Sequence, residues 1–584
     1  MTRLLQLLIA CLIPAAGLAA EPAPSRAALS AAFLTGTAVM EHPVDMAAFA
    51  PPPGAGPPLA RFTGRLQFEV PPDAARSTML LDRWNIVKAD DREYAIPPRF
   101  DFELVQVDDR LVPTTRGIVE SAGEWWDWIV GPGRVWSQKD DDGWSRASLP
   151  FALIEKNANC MHNGVLSFLF RGEREVSRVA YEISQETCYY FKFDGWGAVP
   201  ASRDSTVTAD VAAIAAGYRS EVARRLPVRP IEALATDYPG LNPQNFGAAA
   251  DVTPEHMTLY GVLIKGVHYT GGCETRQGRY PYCDEMLLPS YSLAKTVMAG
   301  FSLMRLELLY PGIRRELIVD YVPECRAAGD WDGVTFENML DMSSGRYNST
   351  ESEADEDSEA TGDFFLSQTH AEKIRLACSR YPRKQPPGKR WVYHTTDTYI
   401  LGTALAAWWR KQNGPQADFY RELLVEPVWR RLGLSPELST PRHTMGNPAQ
   451  PFVGWGLVLR RDDIAKLGGF LAIGEGKLGK EALLDTALVR AALQRDPADT
   501  GLRATNEEFR YNNGLWAWNI AGYLGCRDAA WIPFMSGFGG ISVVMMPSGI
   551  VYYYVSDNYE YRWARAVAEA NRLGPVCRPR GSDE

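Results

Sequence analysis

Ser292 and Lys295 stand three residues apart in PSYSLAKTVMAGFSLMRLELLYPG, residues 289–312, the only Ser-x-x-Lys in the chain. Residues at this spacing share one face of a helix, so the lysine lies one turn above the serine and can reach its hydroxyl. Apolar neighbours penalise an ammonium ion, lower the lysine pKa and leave an amine able to accept the serine proton near neutral pH. The field at a helix start favours the developing negative charge. These residue types in this pattern point to a serine nucleophile activated without histidine; the bland alternative is a surface lysine above a capping serine. Neither Gly-x-Ser-x-Gly nor His-Glu-x-x-His occurs, which argues against lipase-type and zinc-protease chemistry.

The element that must hold this pair is bounded by Pro289 and by Pro311-Gly312, which predicts a buried helix from Ser292 to Tyr310. Everything after the strand-like HMTLYGVLIKGVHY reads as one α/β unit with strands at both ends and helices between. Ahead of it lies a β-rich region, residues 61–205, whose short runs FTGRLQFEV, RFDFELVQV, GVLSFLF and ETCYYFKF are separated by Gly, Pro and Asp turns. Trp125, Trp126, Trp128, Trp136 and Trp144 cluster there and are expected in that region's core, with stacking on sugar rings as the alternative. Residues 206–239 form an Ala-rich helix and a Pro-rich connector, and residues 21–60 read as a Pro and Ala-rich linker, extended and poorly packed.

Four further segments carry a likeness. VTFENMLDMSSGRYN begins at Val334, and PGKRWVYHTTDTYILGTALA begins at Pro387 with a Tyr-x-Thr where Tyr-x-Asn would open a helix. VGWGLVLRRDDIAKLGGFL and MSGFGGISVVMMPSGIVYYYVSDN follow in order. With these, the chain resembles the serine β-lactamase and penicillin-binding-protein superfamily, in its class C-like branch of esterases, D-amino-acid peptidases and 6-aminohexanoate-dimer hydrolases. The resemblance implies an α+β, transpeptidase-like fold over residues 240–584, an antiparallel sheet flanked by helices plus a helical subdomain. A sandwich-like β-rich domain would precede it. It also implies an acyl-enzyme on Ser292 with Lys295 as base and Tyr393 sharing a proton with Lys295 and protonating the leaving group. Backbone N–H groups of Ser292 and Phe538 would bind the oxyanion, with Thr395, Ser536, Gly537, Gly539 and Gly540 lining the substrate.

Two departures bear on substrate. Thr395 replaces the motif's asparagine, and Met535-Ser536-Gly537 lacks the leading cation that β-lactamases and carboxypeptidases place beside a substrate carboxylate. An ester or amide without that carboxylate fits better than a β-lactam or D-Ala-D-Ala peptide; those remain the alternative enzymes, and a non-hydrolysing ligand sensor is the alternative of another class. His394, beside Tyr393, reads as a lining residue. The run ESEADEDSEATGD, residues 351–363, holds seven acids. Ala360 and Leu366 break the EF-hand template, so it reads as a solvated mobile loop near the site entrance, favouring cationic substrates if it faces the cleft.

No cofactor or metal is expected. A formal charge of -10 and a pI near 5.5 give no attraction to nucleic acid or an anionic membrane. The opening MTRLLQLLIACLIPAAGLAA has the layout of a cleaved export signal over residues 1–20, which leaves no transmembrane anchor in the mature chain; a lipoprotein signal at Cys11 is disfavoured. Periplasmic or secreted location follows, and the oligomeric state stays open. Removing Cys11 leaves eight cysteines, for which neighbourhood suggests Cys160 with Cys188, Cys273 with Cys283, Cys325 with Cys378 and Cys526 with Cys577.

Overall fold

A computed structural model describes residues 25–39, 41–70, 78–82, 96–123, 125–186, 188, 190–247 and 251–577. The expected export signal and Cys11 lie outside the described residues. Among those described, no helix is long and apolar enough to cross a membrane.

Alternating apolar residues build two large sheets, which makes the fold α+β. The first is a 12-stranded antiparallel sheet running in sequence from Thr63–Phe68 to Ala201–Asp204. Its longest pair, Ser145–Glu155 against Met161–Arg171, sits in the middle. The sheet folds round an aromatic core in which Phe68, Phe100, Trp126, Trp128, Phe151 and Phe193 are buried. Trp136 is buried as well, whereas Trp125 and Trp144 are only partly covered. The tryptophans therefore serve mainly as core, as large rings do in small β cores.

The second sheet has nine strands in the order Val228–Pro230, Val267–Gly272, Met257–Ile264, Val551–Ser556, Ile541–Met545, Trp531–Gly537, Leu515–Asn519, Phe509–Asn512 and Leu502–Arg503. Only the first pairing is parallel. Residues two apart face the same side of a strand. Thus Leu263, Val543, Val551 and Tyr553 join the main core with the helices Phe301–Leu309 and Arg461–Ala472, while Val262, Val544, Tyr552 and Tyr554 pack on the helix Ala564–Ala570. The helix Thr395–Asn413, between the two halves of that sheet in sequence, buries Tyr399, Ile400, Leu401, Ala404 and Leu405 in the same main core.

Several expectations need correction. Residues 25–39 and 41–60 are not a loose linker: Leu29, Phe33, Leu34, Val44, Met46 and Phe49 are buried in the main core, and these six apolar side chains outweigh the Pro and Ala background. The connector contributes Val228–Pro230 to the nine-stranded sheet, because Pro fits an edge strand. The helix after Asp210 runs Val211–Ala223 and seats Tyr218 against Val105, Val107 and Val112 of the first sheet. All four local cysteine pairs are bonded, with Cα separations of 5.0, 5.9, 4.7 and 5.7 Å in chain order.

Candidate active site

The strand-like pair Leu288–Pro289 is clamped to Val458–Leu459, and the chain then turns sharply into its central helix. Tyr291 takes a left-handed backbone conformation, φ 40°, which is strained for a residue with a side chain. Helical structure begins at Leu293 rather than Ser292, so the serine stands in the turn just before it. From Lys295 to Gly300 the helix widens into a π turn, in which the Phe301 N–H reaches the Thr296 carbonyl.

Asn159 of the first sheet region holds this turn. Its Oδ1 accepts the Tyr291 N–H at 2.9 Å and its Nδ2 donates to the Leu457 carbonyl at 3.3 Å. Ser290 is tied to the same segment, its N–H donating to the Leu457 carbonyl and its Oγ accepting the Leu457 N–H. Asn159 is fully buried, as is Ser290. The strain at Tyr291 is thus held by a side chain more than a hundred residues upstream, and no local sequence signal announces it.

Lys295 Nζ lies 2.9 Å from Ser292 Oγ, 2.8 Å from Thr395 Oγ1 and 3.3 Å from the Gly454 carbonyl. Tyr393 Oη donates to Ser292 Oγ at 2.8 Å. The three residues expected to do chemistry therefore converge on one oxygen. Burial lowers the Lys295 pKa to about 8, against the opposing pull of Glu356 and Glu353. Burial and the nearby Glu356 charge push the Tyr393 phenol well above its usual range, so it keeps its proton. Lys295 can thus lose its proton near neutral pH while Tyr393 keeps its own.

The strand Trp531–Gly537 runs beside the turn that carries Ser292. A Cβ on Gly537 would come within 2.7 Å of Leu293 Cδ1 and 2.9 Å of the Ser290 carbonyl, so only glycine allows this approach. Gly539 and Gly540 turn the chain with φ of 85° and 104°, and the Phe538 ring packs edge-on against Tyr291 and Tyr559. Met535 is buried and uncharged. Tyr190 of the first sheet region adds its ring to Phe538 and donates to Glu155 at 2.9 Å.

The acidic run is not a free loop. Asp355 is 3 % exposed and accepts the N–H groups of Asn348 and Ser349 and the His394 ring. Glu356 accepts the Thr395 N–H at 2.8 Å and also its hydroxyl proton. Other acids, Glu351 and Asp357 among them, do face solvent. His394 is correspondingly not a lining residue: it stacks on Tyr381 at 4.0 Å and pairs with Asp355. Burial opposes its charge, but Asp355 and Asp397 outweigh this and raise its pKa to about 9. Glu356, Gly454 and Asn159 are the residues that the motifs alone did not reveal.

No protein-family model matches the chain, and no curated protein matches it. Among solved structures it is similar to a hydrolase with promiscuous acyltransferase activity, at 14% identity over 61% of this chain and 100% of the other, TM-score 0.41. It is also similar to a class C β-lactamase, at 13% identity over 62% and 96% of the two chains, TM-score 0.39. A third likeness is to the octameric penicillin-binding protein homologue from Pyrococcus abyssi, at 16% identity over 54% and 72%, TM-score 0.39. At these values the likeness transfers no chemistry.

Proposed function

We propose that the protein is a serine hydrolase that cleaves ester or amide bonds through an acyl-enzyme on Ser292. The observation that carries this reading is the meeting of Lys295 Nζ and Tyr393 Oη at Ser292 Oγ, at 2.9 and 2.8 Å. In its neutral form Lys295 takes the Ser292 proton as Oγ bonds to the substrate carbonyl carbon. The oxyanion forms against the backbone N–H groups of Ser292 and Phe538. As the carbonyl–leaving-group bond breaks, Tyr393 gives its proton to the departing alcohol or amine and is replenished by the Lys295 ammonium. Water then attacks the acyl ester and gives a proton to the same Lys295–Tyr393 pair, which passes one on to Ser292 Oγ as the acyl–Oγ bond breaks, so the acid product leaves and Ser292 is restored.

The acidic side chains acting on Lys295 and the uncharged Met535 favour a substrate without a carboxylate at this end. That disfavours a β-lactam or D-Ala-D-Ala assignment. The four disulfides support work in an oxidising compartment, outside the reducing cytosol. The division at residue 205 belongs to the same proposal, with the first region as an accessory to the hydrolase.

Intact-mass detection of a fluorophosphonate adduct, set beside p-nitrophenyl acetate turnover, tests the reading. The wild type gains one adduct and Ser292→Ala gains none and turns over nothing; labelling without turnover of an ester and amide panel supports a sensor instead. Fast cleavage of a chromogenic cephalosporin reverses the substrate preference. Gly537→Ala, which forces the strand off the nucleophile turn, is expected to lose about 10²-fold in kcat/KM on the same ester.

A further inference from the structure

The direction of the hydrogen bonds round Lys295 is decided outside the motifs. Glu356 takes two hydrogens from Thr395, the backbone N–H at 2.8 Å and the hydroxyl. A carboxylate has none to return and a threonine hydroxyl has only one, so Thr395 Oγ1 meets Lys295 as an acceptor alone. The Gly454 carbonyl, 3.3 Å from Nζ, is also an acceptor alone. Beyond its carbon, Nζ has three tetrahedral positions, and these two partners claim two of them. The third lies on Ser292 Oγ. In the ammonium that position carries a hydrogen. In the neutral amine both hydrogens stay on the two obligate acceptors, and the electron pair faces the nucleophile.

We propose that Glu356 is a positioning residue: by fixing which way the Thr395 hydroxyl points, it aims the electron pair of neutral Lys295 at Ser292 Oγ. Glu356 positions through the Thr395 hydroxyl, and its charge also reaches Lys295. The proton that leaves Ser292 Oγ then travels along an existing hydrogen bond to Nζ, and no other hydrogen moves. Thr395, the departure from the asparagine of the resembling motif, is completed by an acid 39 residues upstream. Were that carboxylate absent, the Thr395 hydroxyl could turn its hydrogen toward Nζ, claim the electron pair and leave Ser292 without a base.

The inference rests on the serine hydrolase reading, and its test separates the two. Glu356→Gln keeps the side-chain shape but offers amide hydrogens to Thr395. On the full chain it is expected to lower kcat for p-nitrophenyl acetate about 10²-fold with KM within about threefold. Because Glu356 helps to hold the Lys295 proton, the rising limb of kcat/KM against pH moves to lower pH in this variant, which a merely structural role does not produce. Thr395→Ser keeps most activity and Thr395→Val loses as much as Glu356→Gln. The double variant Glu356→Gln/Thr395→Val is no worse than Thr395→Val alone, since both changes break one relay. A Glu356→Gln enzyme within threefold of wild type, or losses that multiply in the double variant, overturns the inference while Ser292 still labels. An unlabelled wild-type Ser292 overturns the hydrolase reading and this inference together.

Discussion

Lys295→Met is expected to lose about 10³- to 10⁴-fold in kcat/KM and yet to unfold at a denaturant midpoint no lower than wild type at pH 7. The two effects share one cause. The ammonium is 2 % exposed and its pKa is held down at about 8 by burial. Below that pH the native chain carries a desolvated charge that the unfolded chain solvates, a cost of roughly 3 kcal/mol. Between about pH 8 and the ordinary lysine value, the unfolded chain binds a proton that the native chain does not, so wild-type stability rises with pH across that window. Methionine removes the charge at all pH values, offset in part by the hydrogens that the Gly454 carbonyl and the Thr395 oxygen no longer accept. Wild-type kcat/KM rises with pH and levels off above about 8, as the base loses its proton. A flat profile through that range, or a variant markedly less stable than wild type, contradicts this account.

Arg460→Ala has the largest expected effect on folding. Its guanidinium, 2 % exposed, meets Glu221 at 2.9 Å, Glu285 at 2.6 Å and Glu437 at 2.8 Å. Arg116 and Arg225 complete the cluster, bonding Glu221, Glu437 and Glu285. Three cations thus balance three carboxylates where the first sheet region, the helix Val211–Ala223 and the start of the helix Arg461–Ala472 meet. Deleting one cation strands a buried negative charge, and breaking such a pair costs about 3–5 kcal/mol. Urea unfolding of the full chain reads this as a large fall in midpoint. The exposed Arg171–Glu175 pair is the control, and Arg171→Ala leaves the midpoint where it was.

What could be read in the sequence was whatever is local. Ser292 and Lys295 are one helical turn apart, so spacing alone joins them, and each cysteine lies near its partner along the chain. Tyr393 came through an ordered resemblance that paired it with Lys295, and its Oη donates to Ser292 Oγ. Asn159 and Glu356 act across long separations with neither period nor motif, so only the fold brings them in. The acidic run misled because composition reports average polarity, whereas two of its seven acids, Asp355 and Glu356, meet backbone N–H groups and side chains that hold them inward. Residues 25–39 and 41–60 misled for the opposite reason, since a few large apolar side chains decide packing whatever the proline content.

The bend that presents Ser292 leans on an amide from the other sheet, so the two regions cannot diverge independently. A chain of this design keeps its Ser292 geometry only as a whole: any lineage that traded away the stretch around Asn159 would have to find another keystone for Tyr291, or let Ser292 drift from Lys295.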